Sequence, residues 1–276
     1  FGNVESLVQE KIQLAVPPVD VVYLNLDNPY GEEVKNTLRD RGIPVITYGF
    51  ENHEKRDLAL VSFEVDPASG VSSFHCRLRT DYHSFQVPFF SPELMVMLLP
   101  ALQFSLQQGI SELDIQDALN GMVLPDGREK VYRLRQGYVI DDSYNANPVS
   151  MQKALSLLEL FHRWGYRTWA VLGDMLEMGS VSESAHQNLI RSFDQHRVNT
   201  IILYGPMMRE AAERVVSSGQ LQGECYLAYS HDEIQKILLD QVEKQGEKWV
   251  VLFKGSRGMQ MEKAIPAEWR SKHGTL

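Results

Sequence analysis

Three short stretches of this chain concentrate side chains able to do acid–base, metal or phosphate chemistry. The first, DDSYNANP at 141–148, sets Asp141 and Asp142 side by side as acceptors for hydroxyls or a metal. Tyr144 adds a stacking face there, and Asn145 a donor and acceptor for a ribose or base edge. The second, GDMLEMG at 173–179, places Asp174 and Glu177 three residues apart, which suits a metal or an amine. The third, KGSRGM at 254–259, sets Lys254 and Arg257 around two glycines, so that bare amides and cations converge as an anion cradle requires. Structural explanations compete with the first two: Asn147 as helix cap and Asp142 as turn former, and an acidic first helical turn after Asp174. His186, in the amphipathic segment SESAHQNL, reads on its own as a packed or surface histidine, with Ser182 as the N-cap of its helix.

Positioning these groups requires strands. From about residue 134, apolar runs at 137–141, 168–173, 200–205 and 249–253 alternate with longer amphipathic segments, the pattern of repeated βαβ units and a mostly parallel sheet. Ligands of such sheets bind outside the carboxyl ends of the strands. Each polar stretch follows a candidate strand at that end, so the fold is expected to bring all three onto one rim. Asn147 and Pro148 open a helix with Met151, Leu155, Leu158 and Phe161 on one face, ending near Gly165. The first 124 residues read instead as an α+β or partial α/β unit. Its strands are expected at 21–27, 45–49, 58–65, 73–80 and 83–88, and its helices at about 31–41, 93–109 and 113–120. LPDGREK at 124–130 reads as the hinge, giving domains 1–124 and 125–276.

The chain has 276 residues, 43% hydrophobic and 23% charged, with a formal charge of -9, which suits a soluble globular protein and opposes a nucleic-acid footprint. A few local amides and cations can still hold a nucleotide. Its longest apolar run, at 94–102, falls short of the ~20 residues that span a bilayer, so no membrane insertion is expected. Cys76 and Cys225 are isolated, as reduced thiols of a cytoplasmic protein would be. Neither a G-x-x-x-x-G-K-[ST] loop nor a G-x-G-x-x-G turn after the first strand occurs, and the latter absence opposes a dinucleotide-dependent oxidoreductase.

Taken in order, FGNVESLVQEK at 1–11, NLDNPYG at 25–31, Gly127-Arg128, DDSYNANPVSM at 141–151, VLGDMLEMG at 171–179 with His186, and KGSRGM at 254–259 resemble the Mur ligases of peptidoglycan synthesis, in their D-alanyl-D-alanine-adding (MurF-type) branch. The resemblance runs almost end to end. It implies a Rossmann-like C-terminal α/β domain with a mostly parallel sheet, preceded by part of the family's central domain, an α/β unit with extra antiparallel strands. It also implies an ATP-dependent amide ligase: ATP and Mg2+ activate the terminal carboxylate of UDP-N-acetylmuramoyl tripeptide as an acyl phosphate, and the amine of D-alanyl-D-alanine displaces phosphate. Carried over residue by residue, it gives catalytic roles to Lys11, Lys254 and His186, with Lys11 holding magnesium as a carbamate. Arg128, Asp142, Tyr144 and Asn145 fall to the nucleotide, and Asp174, Glu177, Ser256 and Arg257 to substrate.

Two departures qualify this expectation. The sequence starts after the family's first domain and its phosphate-cradling loop, so this chain alone is expected to be inactive, with the remaining half or a second copy as partner and an apolar edge of the first unit to be covered. In addition, Glu93, Leu94 and Met97 of SPELMVM at 91–97 replace the histidine and asparagines with which the family touches adenine. The alternative expectation is a noncatalytic Mur-ligase-like binding or regulatory protein.

Overall fold

The computed structural model describes residues 4–16, 18–51, 56–216, 224–242 and 247–271. The chain divides into two compact units, Phe1–Met122 and Val123–Leu276. In the first, α1 (Val4–Ile12) precedes a five-stranded sheet ordered β1 (Val22–Asn25), β2 (Val45–Phe50), β3 (Leu58–Asp66), β4 (Val71–Leu78) and β5 (Asp81–Val87). β1, β2 and β3 run parallel, with α2 (Gly31–Asp40) between β1 and β2, whereas β3, β4 and β5 form an antiparallel meander. Ile12 and Ala15 pack with Leu38 and Ile43, joining α1 to α2 in a small apolar core. α3 (Pro92–Gln107) starts at Ser91, whose hydroxyl accepts from the Leu94 amide, and lies on β2, β3 and β4 with Met95, Val96, Leu99 and Leu102 buried. α4 (Glu112–Asn120) is capped in the same way by Ser111. Every strand and helix read from the first 124 residues is present. Among the described residues β1 pairs with β2 alone.

The second unit is a six-stranded sheet in the order β10-β9-β8-β11-β7-β6. Its elements along the chain are β6 (Lys130–Arg133), β7 (Gly137–Asp142), α5 (Pro148–Arg163), β8 (Arg167–Gly173), α6 (Ser182–Arg191), β9 (Thr200–Tyr204), α7 (Pro206–Val216), β10 (Glu224–Ala228), α8 (His231–Gln241), β11 (Trp249–Lys254) and α9 (Ala267–Ser271). All neighbours run parallel except the edge strand β6, so helices cover the faces and the middles of the central strands are apolar, with polar residues at their ends. Val139, Trp169, Val171, Ile202, Val251 and Phe253 form the middle of that core. α5 opens as its sequence predicts: the Asn147 side chain accepts the Ser150 amide, and the Ser150 hydroxyl accepts the Asn147 amide. Met151, Leu155, Leu158 and Phe161 are completely buried on its inner face, and the helix stops just before Gly165.

Three points depart from the expected pattern. β6 (KVYR) and β10 (ECYLA) are short edge strands of mixed polarity, so neither the apolar run of a central strand nor a clean alternation marks them. Ser182 does not cap α6: a 3-10 turn over Gly179–Val181 runs straight into the helix, leaving Ser182 in helical geometry with Val181 as N-cap. The Ser182 hydroxyl instead lies 3.1 Å from Met207 Sδ.

Candidate functional site

In the second unit the parallel register sets the last residues of β7, β8 and β11 side by side: Lys254 lies opposite Asp142 on one flank and Leu172 on the other. The polar loops leaving these strands therefore meet on one rim, as the sequence predicts. Lys254 is 2% exposed, and its ammonium donates to Asp142 Oδ2 at 2.5 Å and to the Asn145 carbonyl at 3.1 Å. Asp142 also accepts the Glu129 backbone amide, and the Tyr144 amide donates to the Gly127 carbonyl, so the turn before β6 is tied to the same loop. Burial pushes the Asp142 carboxyl above the usual carboxylate range, while the charge and hydrogen bond of Lys254 pull it part of the way back. Burial also raises Asp141, against hydrogen bonds from Ser143 and the charge of Arg270.

The second loop is locked from three sides. Asp174, 1% exposed, accepts the amides of Met207 at 3.2 Å and Met208 at 2.8 Å, so its carboxylate satisfies the exposed N–H groups of the first turn of α7. Gly205 permits this approach: its φ is +113°, and a Cβ there would stand 2.4 Å from the Asp174 carboxyl carbon. His186 is fully buried; its Nε2 accepts the Met175 amide at 3.0 Å and its Nδ1 donates to the Ser182 carbonyl at 2.7 Å. Ser256 joins the third loop to the others, accepting the Leu176 amide at 2.8 Å and donating to the Ala146 carbonyl at 3.4 Å. The Ser256 amide itself donates to the Asp174 carbonyl.

These contacts tie several of the expected site residues to one another and to the backbone. Lys254 and His186, expected to be catalytic, have their polar atoms committed to the scaffold, and so do Asp142, Asp174 and Ser256. Releasing any of these groups from its partners would leave a buried or part-buried polar atom unsatisfied. What faces outward is a smaller set. The Arg128 guanidinium lies 3.9 Å above the ring of Tyr144, which is 46% exposed, and Asn145 is exposed beside it. Glu177 is exposed in a left-handed backbone conformation with φ of +62°. Arg257 is exposed and pairs with Glu262 at 3.1 Å. Lys11 belongs to the first unit, exposed at the end of α1. Glu93 accepts the Ser91 hydroxyl at the start of α3, and Met97 is 63% exposed.

Sequence reasoning missed the fourth loop of the rim, Gly205–Met208 after β9, although the Gly-Pro pair after an apolar run marks a helix start. It also missed His231, whose ring lies 4.8 Å from that of Tyr204 and whose Nε2 donates to the Met259 carbonyl. No group of three or more His, Cys, Asp or Glu side chains among the described residues could hold a metal ion. No helix among them is long and apolar enough to cross a membrane.

Residues 127–257 match the family model described as Mur ligase, glutamate ligase domain. The UDP-N-acetylmuramoyl-tripeptide--D-alanyl-D-alanine ligase of Bacillus subtilis is 26% identical over 221 residues, covering 79% of this chain and 46% of the relative. MurF from Acinetobacter baumannii superposes with a TM-score of 0.78 at 22% identity, over 96% of this chain and 55% of that structure. MurF ligase from Thermotoga maritima, solved in complex with ADP, gives 0.74 at 19% identity, over 95% and 56%. These structural likenesses show the fold. The chain spans about half the length of the curated relatives it matches.

Proposed function

We propose, from the premise that this chain is a relative of the MurF-type Mur ligases and carries their glutamate ligase domain over residues 127–257, that it works in joining D-alanyl-D-alanine to UDP-N-acetylmuramoyl tripeptide with ATP. The observation that carries this reading is the rim itself: motif loops after β7, β8 and β11, cross-braced by Lys254, Ser256 and His186, with Arg128, Tyr144, Glu177 and Arg257 outward. A cytoplasmic setting, where nucleotide is available and both thiols stay reduced, accords with it.

ATP, when bound, would supply the phosphoryl group that activates the tripeptide carboxylate. The residues of this chain serve that chemistry by binding and orientation. An exposed tyrosine face beneath a guanidinium suits a base or a phosphate, and Asn145 has hydrogen-bonding capacity beside them. Asp142, committed to Lys254 and the Glu129 amide, fixes the loop that presents Tyr144. The locked loop from Asp174 to Leu176 holds the following Glu177 still, and such fixity is what an amine needs to meet an activated carbonyl in reactive geometry. Mg2+ fits as a companion of the nucleotide phosphates. Lys11, as a carbamate, is the one ligand that the resemblance offers from this chain.

A noncatalytic binding role is the second reading, favoured by one observation: Met97, exposed and apolar, stands where the family has a polar adenine contact. The test is phosphate release by the protein purified as its native cell makes it, with MgATP, UDP-N-acetylmuramoyl tripeptide and D-alanyl-D-alanine. Release that needs all three supports the ligase. Silence together with retained dipeptide binding supports the binder.

A further inference from the structure

We propose that a cavity at the amino end of the second unit's sheet, lined by Arg167, Arg197, His162 and Asn199, binds a phosphate group, free or carried by a small molecule. It lies at the opposite end of the strands from the motif loops and does not depend on the ligase reading.

The parallel register builds this cavity. Arg167, Thr200 and Glu224 are the first residues of β8, β9 and β10, and Thr200 stands opposite Glu224 on one side and Trp169 on the other. The segment leading into β9 brings Arg197 and Asn199 to the same end, and His162 comes from the last turn of α5. Together with Asp194 and Glu224 these side chains line a volume of about 380 Å³, within the roughly 300–1,000 Å³ of small-molecule sites.

Its donors outnumber the acceptors left for them. Glu224 Oε2 already accepts from Arg167 Nη2 at 3.0 Å and from the Thr200 hydroxyl at 3.1 Å. Asn199 Oδ1 accepts the amide and the hydroxyl of Thr168 at 2.9 and 3.0 Å, so its oxygen is spent and its amino group, with two N–H donors, remains. Arg167 Nε and His162 Nδ1 are buried nitrogens with no hydrogen-bond partner among the described residues, an arrangement that native proteins rarely tolerate. Both side chains are half-buried overall, so each can turn its nitrogen toward a bound group. The Arg197 guanidinium has no described partner and is exposed. Two guanidinium groups, an imidazole and an amide suit the three or more oxygens of a phosphate group better than the two of a carboxylate. Arg167 offsets the charge of Glu224, which leaves Asp194 as the lining carboxylate that opposes an anion.

The test is amide NMR of isotope-labelled protein titrated at constant ionic strength with sodium phosphate, ribose 5-phosphate and sodium acetate. The expected result is saturable shifts at Arg167, Arg197 and Asn199 with at least one of the two phosphates and none with acetate. Arg197→Gln, a change at an exposed side chain that should leave the melting temperature unaltered, should bind about tenfold more weakly. Asp194→Asn should bind about twofold more tightly, because it removes the opposing charge. Affinity for ribose 5-phosphate no better than for phosphate assigns the site to the free ion, and clearly tighter binding assigns it to an organic phosphate. The proposal is overturned if neither phosphate gives saturable shifts at tens of millimolar, if the shifts are confined to the motif loops, if acetate binds as tightly, or if both variants bind as the wild type does.

Discussion

The ammonium of Lys254 at the end of β11 is neutralised by the carboxylate of Asp142 at the end of β7, 2.5 Å away, with the lysine side chain only 3% exposed. The two residues are 112 apart in the chain yet adjacent in the sheet register. Removing one member of a buried pair strands the other's charge, whereas removing both does not. Asp142→Asn, which leaves the ammonium buried, should cost about 3 kcal/mol in urea denaturation. Lys254→Met should cost less, because Asp142 is 17% exposed and water can reach it. The double variant should be clearly more stable than the sum of the two losses, and strict additivity would show that the pair is not coupled.

Asp141 and Asp142 both have carboxyls raised by burial, so the folded state holds protons that the unfolded chain has already released. Their contribution to stability is full below the unfolded value near 4 and is lost as pH rises through the folded values. Stability curves from pH 4 to pH 7 for the wild type and Asp141→Asn should therefore diverge, the variant losing part of this decline. Superimposable curves would contradict the raised carboxyl of Asp141.

Gly205→Ala places a methyl group against the Asp174 carboxylate and forces a side chain onto a φ of +113°. The loss should be at least about 2 kcal/mol. Asp174→Ala removes the obstacle but also the cap of α7, so the pair of substitutions together should cost less than their sum. Thermal melts of the three variants decide this.

His186→Ala should destabilise by about 2–4 kcal/mol, because the Met175 amide and the Ser182 carbonyl both lose a buried partner. Amide exchange at Met175, slow in the wild type, should become fast. A variant with full stability and unchanged exchange would show that these two hydrogen bonds do not hold the loop.

Burial raises the Cys76 thiol to about 12 and the Cys225 thiol to about 11. Both should react with a disulfide reagent far more slowly than free cysteine at pH 8, since the thiolate is the nucleophile. Cys76, completely buried, should react only on unfolding. Rapid labelling of two thiols in the native protein would refute this.

Much of the architecture was legible in the sequence, because parallel strands buried on both faces must be continuously apolar and helices that cover them must be amphipathic. GYVID, TWAVLG and WVVLF declared β7, β8 and β11, and Asn147-Pro148 declared the start of α5 down to its capping residue. The carboxyl-end rule then placed the three polar loops together. What the sequence left undecided was which polar side chains the protein uses on itself. Asp174 and Glu177 stand three residues apart with the same functional group; one is buried under the first turn of a helix that starts 32 residues later, and the other is exposed. Burial and partnership across distant segments set that difference, and neither is a property of local residue type or spacing. Likewise Lys254 reads as a free cation in KGSRGM, and only the register of β11 against β7 delivers it to Asp142. Local patterning determined the elements, and long-range packing decided which charged groups were left to meet a ligand.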